Sequence, residues 1–150
     1  MSMKRSSQRG IDRPQAAALR RTREDHTQET AQDYAEAIQD LAGRDGGTRV
    51  ADLARRLGVT HVTVIRTLER LRERRLVAPP GESGVRLTRA GMRLATESRR
   101  RHAVVVAFLE AIGVSKGVAE ADAEGLEHHV SRETLRAMGR FLSRSGGGSV

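Results

Sequence analysis

Residues 50–71 read VADLARRLGVTHVTVIRTLERL. Val50, Leu53, Ala54 and Leu57 recur at steps of three and four, the spacing of one apolar face on a short helix. Gly58 follows, a residue suited to the left-handed backbone just past a helix end. Thr60 can then N-cap a second helix, whose buried face is Val64, Leu68 and Leu71. Two short helices about a glycine turn form a helix-turn-helix. The start of the second helix offers small polar side chains, and the major groove of duplex DNA admits an α-helix. His61, Thr63 and Arg66 are therefore expected to reach base edges. Thr60, with the free N–H groups at the helix start, is expected on phosphate, and so are Arg49, Arg55 and Arg56. A leucine-striped helix pair also occurs in proteins that never meet DNA, so the flanks and the charge must support the reading.

The flanks do. After Leu76-Val77-Ala78 come Pro79-Pro80-Gly81 and the turn signal Ser83-Gly84, then the alternating Val85-Arg86-Leu87. This predicts a two-stranded β-hairpin with Arg86 at its base, the wing of a winged helix-turn-helix. Upstream, Tyr34, Ile38 and Leu41 mark another helix face, closed by Gly46-Gly47. Downstream, Thr88 can cap a helix starting with Met92 and Leu94. A long helix is expected over His102–Ile112 with Val105, Phe108, Leu109 and Ile112 inward and Gly113 as its stop. Helices over Val118–Val130 and Glu133–Leu142 follow, the latter capped by Ser131. Residues 1–25 are basic and lack an apolar period, which predicts a disordered arm apart from a short helix around Ala16–Arg23. Residues 143–150, SRSGGGSV, predict a disordered tail.

Lys and Arg number 27 against 19 Asp and Glu, a net charge of +8 that favours a polyanionic partner. The only aromatics are Tyr34, Phe108 and Phe141, too few for single-strand binding by base stacking. The absence of cysteine excludes a disulfide framework, a thiolate zinc finger and a cysteine nucleophile. No apolar run approaches the ~20 residues of a membrane span, and no secretory signal opens the chain, so a cytoplasmic protein with no membrane partner is expected.

Two acidic clusters need explanation. Asp33 and Glu36 share one helix face, and Glu124, Glu127 and His128 share another. Like charges at this spacing repel, so each face is either solvated or organised around a cation. For either cluster alone the solvated face is the simpler reading. His102, beside Arg99-Arg100-Arg101, could add an imidazole, giving four carboxylates and two imidazoles. His129 lies about 100° round the helix from His128 and is expected in solvent.

Taken together, Asp33-Tyr34-x-Glu36, the helix-turn-helix, Leu87-Thr88-x-x-Gly91, Arg101-His102 and Asp122-Ala-Glu-Gly-Leu-Glu-His-His-Val-Ser131 carry a resemblance. The chain resembles the manganese-responsive branch of the diphtheria toxin repressor family over about residues 30–142. The resemblance implies a mainly α fold: a winged helix-turn-helix domain over residues 26–95 and a helical metal-binding and dimerisation domain over 96–142. It implies a homodimer that binds double-stranded operator DNA when metal is present, repressing manganese uptake genes. It implies Asp33, Glu36, His102, Glu124, Glu127 and His128 as ligands of two manganese ions sharing carboxylates. Oxygen and imidazole donors without thiolate suit Mn²⁺ or Fe²⁺. Iron-responsive relatives use sulfur in this set, which leans toward manganese. The longer basic arm and the missing extra C-terminal domain are departures. A winged-helix repressor of an organic ligand would need an apolar, aromatic-lined pocket that this chain is poor in. No enzyme is expected: the paired Glu-x-x-His of di-metal carboxylate proteins and the HExxH motif are absent.

Overall fold

A computed structural model describes the backbone of residues 12–43 and 46–145, and their side chains except at 12–18 and 21. Six helices run in order: α1 (Asp12–Leu41), α2 (Val50–Leu57), α3 (His61–Glu73), α4 (Arg89–Ala111), α5 (Lys116–His129) and α6 (Arg132–Ser145). The local signals act as read. Gly58 takes φ 67°, ψ 30° and returns its N–H to Ala54. Thr60 accepts the Thr63 N–H at 3.2 Å, Thr88 accepts that of Gly91 at 3.1 Å and Ser131 that of Thr134 at 3.1 Å. Gly91 is needed for space: a Cβ there would lie 2.1 Å from the Leu76 carbonyl oxygen, so α4 starts hard against the chain leaving α3.

The first core gathers Tyr34 and Ile38 of α1, Leu53 of α2, Val64, Leu68 and Leu71 of α3, and Val77 and Val85 of the wing. Ile38, Leu53 and Leu68 are fully buried, each contributing about 1.5–3 kcal/mol through removal from water. The second core is smaller: Val105 and Val106 of α4 against Ala119 and Ala123 of α5, flanked by Leu135 and Met138 of α6. Phe108 and Phe141 meet edge to face, their ring centres 5.4 Å apart.

The structure departs from the sequence reading in several places. Residues 12–25, expected as a disordered arm, continue α1. Gln15-Ala-Ala-Ala-Leu19 is rich in strong helix formers, and extending an existing helix needs no new nucleus. Arg74 ties this level of α1 to the end of α3, donating to the Thr27 carbonyl at 3.3 Å and to Gln28 Oε1 at 2.8 Å. Residues 1–11 lie outside the described part. At the other end, Ser143–Ser145 belong to α6, and residues 146–150 lie outside the described part. The wing is not a continuous hairpin. It holds isolated antiparallel bridges, Val77 with Leu87 and Val85 with Thr48. Pro79 and Pro80 lack the N–H groups that would extend the ladder. Ile112, expected inward, is 53% exposed just past the end of α4. The helices expected from Thr88 and over His102–Ile112 are one unbroken helix of 23 residues. Among the described residues no helix is long and apolar enough to cross a membrane.

Candidate metal centre and nucleic-acid interface

The junction of α1, α4 and α5 collects the acidic clusters. α1 supplies Asp33 and Glu36, α4 supplies His102, and the last two turns of α5 supply Glu124, Glu127 and His128. Glu127 sits at the centre, 3% exposed. One of its oxygens lies 2.6 Å from His102 Nδ1 and the other 3.6 Å from His128 Nε2. His128 Nε2 is also 3.6 Å from Asp33 Oδ1. Burial pushes the Glu127 carboxyl up to about 7, and the charges of Glu36 and Glu124 push the same way against the pull of His102. Asp33 is raised, first by burial and then by Glu36, Glu124 and Glu29, against His128. For His102, burial favours the neutral ring, but hydrogen bonds to Glu120 and Glu127 outweigh it and raise the imidazole.

Each of the six residues thus feels at least one other member of the set, and Glu127 feels His102, Glu36, Glu124 and His128. Among the described residues, no three of these groups are already arranged around a common point at coordination distance. The imidazoles and carboxylates pair with each other instead. The donor set still fits a hard divalent cation: crowded carboxylates, one held near neutral protonation, and imidazoles with no thiolate nearby.

Three supporting contacts were missed by sequence reasoning. Gln32, buried on α1, presents Oε1 2.8 Å from His128 Nδ1. With Nδ1–H donating there, the Nε2 lone pair faces Asp33 and Glu127, the orienting contact that a ligating histidine uses. Glu120 accepts from His102 Nε2 at 3.1 Å, occupying the nitrogen that Glu127 leaves. Arg101 donates to the Glu127 and Val130 carbonyl oxygens, fixing the end of α5 against α4. An amide one residue before Asp33 gave no sequence signal, whereas Glu120 lies one helical turn before Glu124. His129 points elsewhere, 3.1 Å from Glu29 and largely exposed.

α3 presents His61, Thr63 and Arg66 to solvent, and Thr63 and Arg66 line a groove that also reaches Asp33. Thr63 is partly engaged, its hydroxyl 2.9 Å from that of Thr60. Val62 and Ile65 are 57% and 46% exposed on the same helix, although neither was expected there. Apolar side chains off the core stripe are the signal that could have found them, and such groups contact thymine methyls. Arg49 and Arg86 are exposed. Arg55 is exposed and pairs with Asp52 at 3.0 Å. Arg56 is less free than expected: it reaches Asp40 at 3.5 Å, and Asp40 also pairs with Arg99 of α4.

Residues 26–85 match the family described as iron dependent repressor, N-terminal DNA binding domain. Residues 88–145 match iron dependent repressor, metal binding and dimerisation domain. The chain is 46% identical over 128 residues to the transcriptional regulator MntR of Escherichia coli O6:H1, covering 85% of this chain and 83% of that protein. It is 32% identical over 111 residues to the HTH-type transcriptional regulator MntR of Listeria welshimeri, covering 74% and 78%. The solved structure of the manganese regulator SloR superposes with a TM-score of 0.65 at 27% identity, covering 75% of this chain and 53% of that one. A manganese-dependent transcriptional repressor solved with manganese superposes at 0.59 with 29% identity, over 75% and 52%. The paired domain matches and the curated relatives settle the class: this chain belongs to the iron-dependent repressor family, metal-dependent DNA-binding regulators rather than enzymes.

Proposed function

We propose that the chain is a cytoplasmic, Mn²⁺-activated repressor that binds a near-palindromic operator as a homodimer and controls manganese uptake. The observation that carries this reading is Glu127, buried between His102 and His128 where α1, α4 and α5 meet. Asp33, Glu36, His102, Glu124, Glu127 and His128 would hold two ions, which supply positive charge to a cluster of like-charged carboxylates. Asp33 and Glu36 belong to the helix that packs against the DNA-binding core, and the other four to the helical half. Without a counter-charge the carboxylates repel and loosen the join; with it, the two recognition helices of the dimer are held at the spacing of successive major grooves. His61, Thr63 and Arg66 would then read bases, while Thr60, Arg49, Arg55, Arg56 and Arg86 hold phosphates. Domain limits of 26–95 and 96–142 suit this division of labour. Manganese is favoured over Fe²⁺ by the absence of any sulfur donor in the set, and by relatives named as manganese regulators.

The test is fluorescence anisotropy of promoter DNA against protein with Mn²⁺, Fe²⁺, Zn²⁺ or chelator. Mn²⁺ is expected to tighten operator binding at least 10-fold, and operator to tighten Mn²⁺ binding by the same factor. Glu127→Gln and His128→Ala should abolish the response while the dimer stays folded. Equal DNA affinity with Mn²⁺ and with chelator would overturn the reading.

A further inference from the structure

α6 carries arginines at 132, 136, 140 and 144, one every four residues, and therefore along one side of the helix. They form a row about 18 Å long. All four are exposed. They line a groove of about 840 Å³, whose other wall is Glu97, Arg100, Arg101 and Val104 of α4. Among the described residues no carboxylate pairs with any of the four. The single acid on the groove, Glu97, is 3.3 Å from Arg100, and Arg101 is engaged with the end of α5. Like charges four apart on a helix repel, so the row is a standing positive potential with no internal counter-charge.

We infer that this α4–α6 groove is a second DNA-contacting surface, which grips duplex phosphates without reading sequence. Three observations favour a long polyanion over other partners. The cationic groups are evenly spaced along a line, as backbone phosphates are. The arginines are exposed rather than buried, so the groove lacks the fixed anchor of a small-anion pocket. Leu135 and Met138 of α6 pack against the second core and Phe141 against Phe108, so the exposed edge of α6 is mainly cationic and offers a lipid surface little to take up. The surface belongs to the helical half and is separate from α3, so it adds affinity to whatever the recognition helix selects. The inference rests on the DNA-binding reading of the chain.

The experiment compares full-length protein with Arg136→Gln/Arg140→Gln, both loaded with Mn²⁺, on a duplex extending well past the operator and on a scrambled duplex of equal length. Salt is titrated. The double variant should bind both duplexes more weakly, keep the ratio between them, and flatten the slope of log K against log salt by about 1.8, roughly 0.9 for each phosphate no longer neutralised. Arg136→Lys/Arg140→Lys, which keeps the charge, should keep the slope. Circular dichroism and sedimentation should show the same helicity and dimer for all three proteins. An unchanged slope in the Gln variant overturns the inference, even if that variant loses binding of free nucleoside triphosphate, which would make the groove a small-anion site. If the wild-type protein retains neither duplex, the DNA-binding reading fails as well. If it retains both and only the slope stays unchanged, this inference alone fails.

Discussion

The two halves of the chain are built to different standards of self-sufficiency. The DNA-binding half closes its core from α1, α2, α3 and the wing, with Ile38, Leu53, Val64 and Leu68 essentially removed from water. The apolar core of the helical half holds two buried valines and two buried alanines. None of the side chains of α6 is buried, and Ile112, Val118 and Leu126 stay 53%, 51% and 42% exposed. A core of valine and alanine contributes little transfer energy. The family description of this half names dimerisation as well as metal binding. One half closes its core from its own elements; the other leaves more of its apolar surface uncovered.

That contrast can be broken by experiment. The largest effect is expected in the first core. Leu68→Ala should destabilise the protein by about 2–5 kcal/mol, seen as a lower denaturation midpoint that extra protein or Mn²⁺ does not restore. Next, Val118→Glu with Leu126→Glu should weaken dimerisation roughly 100-fold, about 2.7 kcal/mol, with helix content kept. Sedimentation showing an intact dimer would move the interface elsewhere. Third, glycines in the two halves should respond with opposite signs. Gly58→Ala forces a Cβ into left-handed backbone and should cost about 1–2 kcal/mol. Gly139→Ala, inside α6 with open space around it, should gain about 0.5–1 kcal/mol. Thermal melts of both variants check the pair.

The mildest effect needs no mutation. Glu127, Asp33 and His102 are all raised in the folded protein, so the folded state holds protons that the unfolded chain has released. Metal-free stability should therefore fall as pH rises from the ordinary carboxylate value of 4.5 through about 7. Mn²⁺ must displace those protons, so its affinity should rise over the same interval and its presence should reverse the loss. A metal-free melting temperature that climbs across this window would contradict the crowding of charge at the junction.

Legibility in the sequence followed the same divide. Gly58, Thr60, Thr88 and Ser131 act locally, through one φ angle or one hydrogen bond, so their roles were readable from position alone. The carboxylates and histidines were readable by periodicity as two helix faces and a lone imidazole. Their meeting was implied only by the family resemblance, because periodicity places a residue on its own helix and is silent on which helix lies opposite. The contacts of Gln32, Glu120 and Arg101 went unseen for that reason: each is made with a residue far away in sequence. The wing was overread because alternation in Val85-Arg86-Leu87 predicts a strand, whereas Pro79 and Pro80 decide how far pairing can run. The arm was underread because it lacks an amphipathic stripe, yet a helix already nucleated at Tyr34 extends cheaply through an alanine run.

α4 is an unbroken shaft of 23 residues that starts against the wing and ends in the second core. At 1.5 Å per residue its ends are about 33 Å apart. Pivoted near His102, a tilt of about 5° displaces the two ends by roughly 1–2 Å. His102 stands just past its midpoint, beside the fulcrum that α1 and α5 form. The pairing of His102 with Glu127 therefore sits where the angle of the shaft against α1 and α5 is set.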